Sequence, residues 1–136
     1  MERRKLAPGE VLLQASDQAS NIYFLESDHL SVYLPLAFGH SVRVTSMAHG
    51  AIVGEISYLT GQPRSANVIS EDWTHVLCLR ESTLRRIEKK DPVLSALIMS
   101  ILCRSLAAKL LQSNAQLAYA ETTVTNSSPP WQNVTP

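Results

Sequence analysis

The spacing of apolar residues changes once along this chain, and that change constrains the fold more than any other feature. From Leu6 to about Leu79, short apolar runs alternate with turn residues, as they do in the strands of a β-sandwich or barrel. From Ser82 onward, the apolar residues recur every three or four positions, which is the spacing of an amphipathic helix. The sequence therefore predicts a compact all-β region followed by helices.

Six segments of the first region are predicted to be strands. They are Glu10–Gln14, Ile22–Glu26, Leu30–Leu34, Val42–Met47, Ala66–Ile69 and His75–Leu79. Phe38-Gly39-His40 is typical of a hairpin connection. A helical turn near Glu55 is predicted as the only helix among the strands, which together form one β region from about residue 6 to 80.

The long C-terminal helix is predicted to begin at Asp91-Pro92, because aspartate is a favoured N-cap and proline suits the first helical position. Its apolar stripe comprises Leu94, Leu97, Ile98, Ile101, Leu102, Ala107, Leu110 and Leu111. Of these residues, Leu97, Ile101 and Leu110 are expected to face the β core or a partner helix.

Length and composition favour one domain. With 136 residues, 45% of them hydrophobic, the chain can bury one core, predicted as residues 1–120 with helices at about 81–118. Residues 121–136 are rich in Thr, Ser, Asn and Pro and are predicted to be a flexible tail. A formal net charge of zero gives no broad electrostatic footprint for nucleic acid.

The cysteines and the chain start bear on location. Cys78 and Cys103 have neither metal nor redox spacing, so both are predicted to be buried free thiols in a reducing compartment. No export signal follows Met1–Lys5, and no apolar run is expected to be long enough to cross a bilayer. We therefore expect a cytoplasmic chain without direct membrane insertion.

The stretch "GEISYLTGQPRSA", residues 54–66, places a carboxylate and an arginine on either side of one short turn. Backbone N–H groups at a helix start and a planar guanidinium, such as that of Arg64, together bind phosphate well. The Glu55 carboxylate is a strong acceptor for a sugar hydroxyl, and Gly54 allows close approach of the backbone. Most such charge pairs are solvated at the surface, so the pair alone leaves both interpretations open.

The same stretch resembles the phosphate-binding cassette of cyclic nucleotide-binding domains, whose Gly-Glu and Pro-Arg pairs match Gly54-Glu55 and Pro63-Arg64-Ser65-Ala66. "LAPGEVLLQASDQASNIYFLESDHLSVYL" resembles the opening strands of that family, and "RESTLRRIEKKDP" resembles the short helix before its long one. The resemblance covers about residues 6–112. It implies a mainly β fold, a double-stranded β-helix or jelly-roll-like β-roll with a short phosphate-binding helix and C-terminal α-helices.

The resemblance also implies a function for individual residues: the chain would bind cAMP or cGMP, catalyse no reaction and signal through its C-terminal helix. Glu55 would accept a hydrogen bond from the ribose 2′-hydroxyl, and Arg64 would pair with the cyclic phosphate. Ser65 would donate to the phosphate or the base. The remaining site residues, which would offer backbone groups or complete the motif, are Gly54, Ile56, Ser57 and Ala66. No metal or other cofactor is implied.

Val53 replaces an aromatic residue that is common in the family, and two further residues depart from the family pattern. Tyr58 belongs to a Ser-Tyr pair that replaces a usual small-apolar pair, and it would either crowd the pocket or pack outward. Asp28 stands where the family usually has a glycine in a turn, and aspartate tolerates that backbone better than most residues.

The closest resemblance is to the cyclic nucleotide-binding-like domain at the C-terminal end of sulfate-permease-type (SulP) anion transporters. In those chains the domain follows a membrane domain and a regulatory cytoplasmic domain. The resemblance therefore implies a cytosolic fragment of a larger transporter chain, and the abrupt start of the sequence fits that expectation. Its partners would be a cyclic nucleotide, the rest of the transporter and, through the long helix, a second copy.

Three alternatives stand beside this interpretation. A related domain that has lost its ligand would act as a docking or assembly module, although Glu55 and Arg64 are both intact. A transcription regulator would need a helix-turn-helix after the long helix, where this chain has a Ser/Thr/Pro-rich tail, so DNA binding is not expected. A cupin-like metal enzyme would need clustered histidines, whereas the four histidines here are isolated, at His29, His40, His49 and His75.

Overall fold

A computed structural model describes residues 1–126, with side chains to residue 122, and shows eight strands and three α-helices in that range. The strands are β1 (Glu2–Leu6), β2 (Val11–Leu13), β3 (Ile22–Leu25), β4 (His29–Pro35), β5 (Ser41–Ala48), β6 (Ile52–Val53), β7 (Asn67–Ser70) and β8 (Thr74–Leu79). The helices are α1 (Glu55–Thr60), α2 (Glu81–Lys90) and α3 (Pro92–Asn126). All six strands predicted from the sequence are present, with ends shifted by one residue at most.

The strands form two four-stranded sheets, in the orders β1-β8-β3-β6 and β2-β7-β4-β5, and every pairing is antiparallel. In the first sheet, Tyr23 of β3 lies opposite both Cys78 of β8 and Val53 of β6. Apolar side chains from both sheets pack into one core, because alternate residues of each strand face inward. This two-sheet β-roll with C-terminal helices confirms the predicted fold class.

Two hydrophobic clusters hold the β-roll and its helices together. The core of the β-roll comprises Leu6, Leu12, Leu13, Tyr23, Leu25, Leu30, Val53, Val68, Val76 and Cys78. A second cluster, which we call the helix cluster, comprises Ile22, Ile52, Tyr58, Leu79, Leu84 and Leu102. Because Tyr58, Leu84 and Leu102 belong to α1, α2 and α3, the helix cluster joins all three helices to the sheet.

Two strands and one 3₁₀ helix were not predicted. The segment of β1 is mostly charged and lacks an alternating pattern, yet it pairs with β8 along its whole length. β6 has only two residues, too few to show a period. A one-turn 3₁₀ helix, Ala37–Gly39, lies in the β4–β5 hairpin, so the prediction that α1 is the only helix among the strands is wrong.

The long helix begins at Pro92 as predicted, and the backbone N–H of Leu94 donates to Oδ1 of Asp91 at 3.1 Å. It continues to Asn126, six residues into the segment predicted to be a flexible tail; the rest of that tail, residues 127–136, lies outside the described residues. Within the described residues, packing separates Met1–Leu102 from the part of α3 that begins at Cys103, and this division falls within the predicted 1–120 domain.

Leu102, Ile98 and Met99 form the part of α3 that contacts the helix cluster. Leu102 is 1% exposed, and Ile98 and Met99 pack beside it. Leu97 and Ile101, which were expected to contact the β core or a partner, are 58% and 43% exposed. The apolar residues of α3 cover a wide arc, and hydrophobic spacing alone does not tell which part of such an arc is buried.

Cys103 and the long helix correct two further expectations. Cys78 is buried as predicted, but Cys103 is exposed, because the adjacent Leu102 takes the inward position on α3.

Over Pro92–Thr122 an 18-residue window reaches a mean hydropathy of 1.7, with 6% of it buried. By length and composition this helix could cross a bilayer, contrary to the sequence-based expectation; the same test is passed by core helices of soluble proteins.

Candidate functional site

The cassette is a short helix bounded by two glycines. Gly54 has φ 93° and precedes α1, and Gly61 has φ 72° and follows it, donating its N–H to the carbonyl of Ser57 at 2.9 Å. Left-handed backbone of this kind favours glycine at both positions. α1 therefore has six residues, and the chain turns back through Pro63 towards β7.

Arg64 is the central side chain of this segment and is 4% exposed. Its Nη1 donates to the carbonyl of Gly54 at 2.8 Å, and its Nη2 donates to the carbonyl of Asn21 at 2.7 Å. Its backbone is also held on both sides, because its N–H donates to Asp17 O and its carbonyl accepts from the N–H of Ser16, both at 2.8 Å. The guanidinium thus joins the start of α1 to the residue that precedes β3.

The charge of Arg64 is buried without an ion pair. None of the ion pairs formed among the described side chains involves this residue. Burial lowers its pKa below the usual value, and nearby Tyr23, Asp17 and Glu55 act in the opposite direction. Its Nε is buried and has no hydrogen-bond partner among the described residues. A guanidinium carries five N–H donors, so after two bonds to carbonyls it retains donors for an oxyanion.

Gly54 has a structural role that was not predicted. A Cβ placed on it would lie 2.6 Å from the carbonyl oxygen of Asn21 and 2.8 Å from Nη1 of Arg64. The space beside Gly54 is therefore filled by the arginine and its acceptor, and the absence of a side chain allows Arg64 to reach both carbonyls.

Glu55 and Ser57 also lie inside the protein. Glu55, the first residue of α1, is fully buried, and it is close enough to Arg64 to affect the pKa of the guanidinium. Ser57 is 3% exposed. The structure therefore brings the predicted carboxylate and guanidinium together at the start of α1, even though they are nine positions apart in the sequence.

The other predicted site residues are more accessible. The side chain of Ile56 is 42% exposed, Ser65 is exposed and Ala66 is half-buried. Ser65 lies on the return segment next to Arg64, between α1 and β7.

Tyr58 packs towards the C-terminal helices. Its ring belongs to the helix cluster, and its hydroxyl donates to Oε1 of Glu88 on α2 at 2.6 Å. Burial, together with the hydrogen bond to Glu88, raises its pKa from 10.0 to about 12. Asp28, which also departs from the family pattern, has φ 62°, as expected for a residue in a glycine position.

Asn21 was not identified from the sequence. Its backbone carbonyl accepts from Arg64, and its side-chain Oδ1 accepts from the N–H of Glu81, the first residue of α2, at 3.0 Å. Arg80, the N-cap of α2, makes no capping bond with its own side chain, so Asn21 supplies that acceptor from a distant part of the chain. The sequence of Ser16–Asn21 is polar and turn-forming, and no local pattern in it reveals a cap 60 residues away.

The structure shows no cluster of three or more His, Cys, Asp or Glu suited to a metal ion within its described part.

Comparison with known proteins agrees with this geometry. The sequence pattern of the family described as "Cyclic nucleotide-binding domain" matches residues 3–91. The cAMP-dependent protein kinase type II regulatory subunit of Drosophila melanogaster is 27% identical over 128 residues, which are 93% of this chain and 33% of that protein. The cAMP-dependent protein kinase regulatory subunit of Hypocrea atroviridis is 31% identical over 87 residues, 64% of this chain and 18% of that protein.

Solved structures share the fold. A cyclic nucleotide-binding domain from Methylobacillus flagellatus KT superposes with a TM-score of 0.81 at 20% identity, over 87% of this chain and 66% of that one. This chain covers 33% of the length of the Drosophila relative and 18% of the length of the Hypocrea relative, so it spans a third or less of either protein. Since the family pattern covers more than half of the sequence, this chain belongs to the cyclic nucleotide-binding domain family.

Proposed function

We propose that this chain binds a cyclic nucleotide and acts as a regulatory module without catalytic activity. The observation that carries the proposal is Arg64, a buried cation that forms no ion pair among the described residues and has a buried Nε donor to spare. Removing a charge from water is unfavourable unless an opposite charge or hydrogen bonds compensate. A cyclic phosphate would supply both.

Each predicted site residue has a role in this proposal. Arg64 pairs with the phosphate, and Glu55 accepts from the ribose 2′-hydroxyl; their closeness at the start of α1 supports this pairing of roles. Ser65, which is exposed, donates to the phosphate or base. Backbone groups of the remaining predicted residues complete the contact, and these are Gly54, Ile56, Ser57 and Ala66. The Drosophila relative is a cAMP-dependent regulatory subunit, which favours cAMP over cGMP as the first ligand to test.

Signalling through the C-terminal helices forms part of the proposal. Tyr58 of α1 and Leu102 of α3 belong to the same helix cluster, so a shift of α1 on phosphate binding would change the packing of α3. Hydrogen exchange of residues 92–102, with and without saturating nucleotide, tests this step. The same exchange rates in both states, at proven saturation, would argue against signalling by α3.

The second candidate function is a docking module that no longer binds nucleotide. It is favoured by the contacts of Arg64, whose two Nη atoms already donate to backbone carbonyls, and by the full burial of Glu55. Calorimetric titration with cAMP and with cGMP separates the two functions. Saturable binding of either nucleotide supports the first, and an absence of heat and of thermal stabilisation at millimolar nucleotide supports the second.

The wider context is also proposed on the basis of the sequence resemblance: a cytosolic fragment of a SulP-type anion transporter that associates with a second copy through α3. Exposed apolar residues on α3, among them Leu94, Leu97 and Ile101, are compatible with such an association. The length of the full coding sequence tests the transporter context. Light scattering of the wild type and of Leu97→Ser tests the association, which would be lost or weakened in the variant.

A further inference from the structure

The β4–β5 hairpin ends in a group of exposed apolar side chains, which we call the hairpin tip: Leu34, Leu36, Phe38 and Val42. Their exposed fractions are 38%, 54%, 97% and 42%. Leu34 and Val42 lie opposite each other in the last pairs of the two strands, and β5 is the edge of its sheet. Folded chains rarely expose grouped apolar side chains unless the group contacts a partner or a membrane.

Phe38 has an unfavourable backbone conformation, and its side chain is exposed to water. Its φ is 61° and its ψ is 33°, in the left-handed region that a bulky residue rarely adopts. The turn is closed by a hydrogen bond from the N–H of Leu36 to the carbonyl of His40 at 2.7 Å. A 97% exposed ring gains almost no packing within this chain. The conformation therefore presents the ring outward without an intramolecular benefit that offsets the strain.

The hairpin that carries the tip has basic residues and no acidic ones. Residues 29–49 contain no aspartate or glutamate, whereas they contain Arg43 and three of the four histidines. Of these, His40 lies in the turn beside Phe38, and Arg43 follows Val42 on β5. From outside the hairpin, Glu71 accepts a hydrogen bond from Tyr33 and also interacts with Arg43.

We propose that the hairpin tip inserts into an anionic lipid surface, with Leu36 and Phe38 entering the apolar boundary while Arg43 and His40 face the headgroups. A projecting tip with apolar residues at its end and basic residues behind it matches the layered chemistry of such a surface. Lipid also yields to a protruding ring, whereas a protein partner would need a pocket of complementary shape. This peripheral contact revises the sequence-based expectation of no direct membrane insertion.

Flotation with lipid vesicles tests the proposal, using phosphatidylcholine alone and phosphatidylcholine with phosphatidylserine. We expect the wild type to bind the anionic vesicles more strongly than the neutral ones. Phe38→Ser should bind the anionic vesicles at least about tenfold more weakly, because an apolar ring no longer enters the lipid. Phe38→Trp should retain binding. Trp73→Ser is the matched control, because Trp73 is also an exposed aromatic residue, 53% exposed, but lies in the β7–β8 turn. This variant should bind the vesicles as the wild type does.

Three results would overturn the proposal. The first is a wild type that does not bind anionic vesicles. The second is Phe38→Ser binding as the wild type does, which would assign any lipid contact to another surface such as the apolar α3. The third is a lipid-free dimer that Phe38→Ser abolishes, which would make the tip an interface between copies. Because Phe38 is almost fully exposed, the variant should fold, and its melting temperature checks this.

Discussion

Nη2 of Arg64 donates to the backbone carbonyl of Asn21, 2.7 Å away, and the side chain of the same asparagine accepts from the first N–H of α2. Asn21 therefore contacts both Arg64, the residue proposed to bind the phosphate, and the start of the C-terminal helices. A phosphate that draws the guanidinium away from Asn21 would loosen one side of this residue while the other still holds α2. The structure thus offers a short physical connection between the cassette and the helices that follow it.

Replacing Arg64 should destabilise the fold. As ligand-binding residues, Arg64 and Glu55 were expected at a pocket outside the apolar core, where a substitution should not unfold the domain, but the structure buries both. Arg64→Ala leaves the carbonyls of Gly54 and Asn21 without their donors, and an unsatisfied buried acceptor costs about 1–3 kcal/mol. Urea unfolding should therefore show a lower free energy of unfolding for Arg64→Ala. The exposed Arg86→Ala serves as control, and equal stability of the two variants would contradict the burial of Arg64.

Gly54→Ala should disturb the site more than Gly61→Ala. Both glycines have positive φ, so both variants bear backbone strain of about 1 kcal/mol. Only at Gly54 would the new methyl group meet other atoms, at 2.6 Å and 2.8 Å, while nothing lies within 4 Å at Gly61. Denaturant melts should show a larger loss of stability for Gly54→Ala. Indistinguishable melts would mean that Arg64 does not occupy the space beside Gly54.

Asn21→Ala should weaken the start of α2 and leave the Arg64 contact in place. The substitution removes the side-chain acceptor of the Glu81 N–H but keeps the backbone carbonyl that Arg64 uses. Loss of a helix cap costs about 0.5–2 kcal/mol, so the free energy of unfolding should fall by this amount. Nucleotide affinity, measured at a temperature where the variant is folded, should change by less than it does in Arg64 variants. A larger affinity loss for Asn21→Ala would contradict this division of roles.

Tyr58 should make the protein sensitive to alkaline pH. Its folded-state pKa, about 12, lies above the ordinary value of 10.0, so the neutral phenol is favoured by folding. The stability that this provides is fully present below pH 10 and is lost as the pH rises through 12. Urea unfolding at pH 9 and pH 11.5 should show a steeper loss for the wild type than for Tyr58→Phe, which cannot ionise. Equal losses of unfolding free energy in the two proteins would mean that the Tyr58 hydroxyl is not buried against Glu88.

The sequence predicted those features that depend on local patterns. Strand periodicity, the Asp91-Pro92 helix start and the order of the cassette motif were each readable from neighbouring residues. It did not predict β1, whose charged segment is a strand only because β8 offers it backbone partners. Asn21 was missed because its two contacts join segments 43 and 60 positions apart. The sequence did not decide between the β core and a partner for Leu97, because α3 is apolar over much of its circumference; the structure leaves Leu97 exposed.

The most direct test of the account is isothermal titration of cAMP and cGMP into the wild type, Arg64→Lys and Glu55→Gln, each at a temperature where its melt shows it to be folded. We expect saturable binding to the wild type. Arg64→Lys keeps the charge but loses the planar fork, and loss of a charge-assisted contact of this kind costs about 2–5 kcal/mol, so binding should weaken at least about tenfold. Glu55→Gln should lose less, because its amide oxygen still accepts. Wild-type protein that binds neither nucleotide at millimolar concentration, or Arg64→Lys that binds as the wild type does, would contradict the proposed role of Arg64.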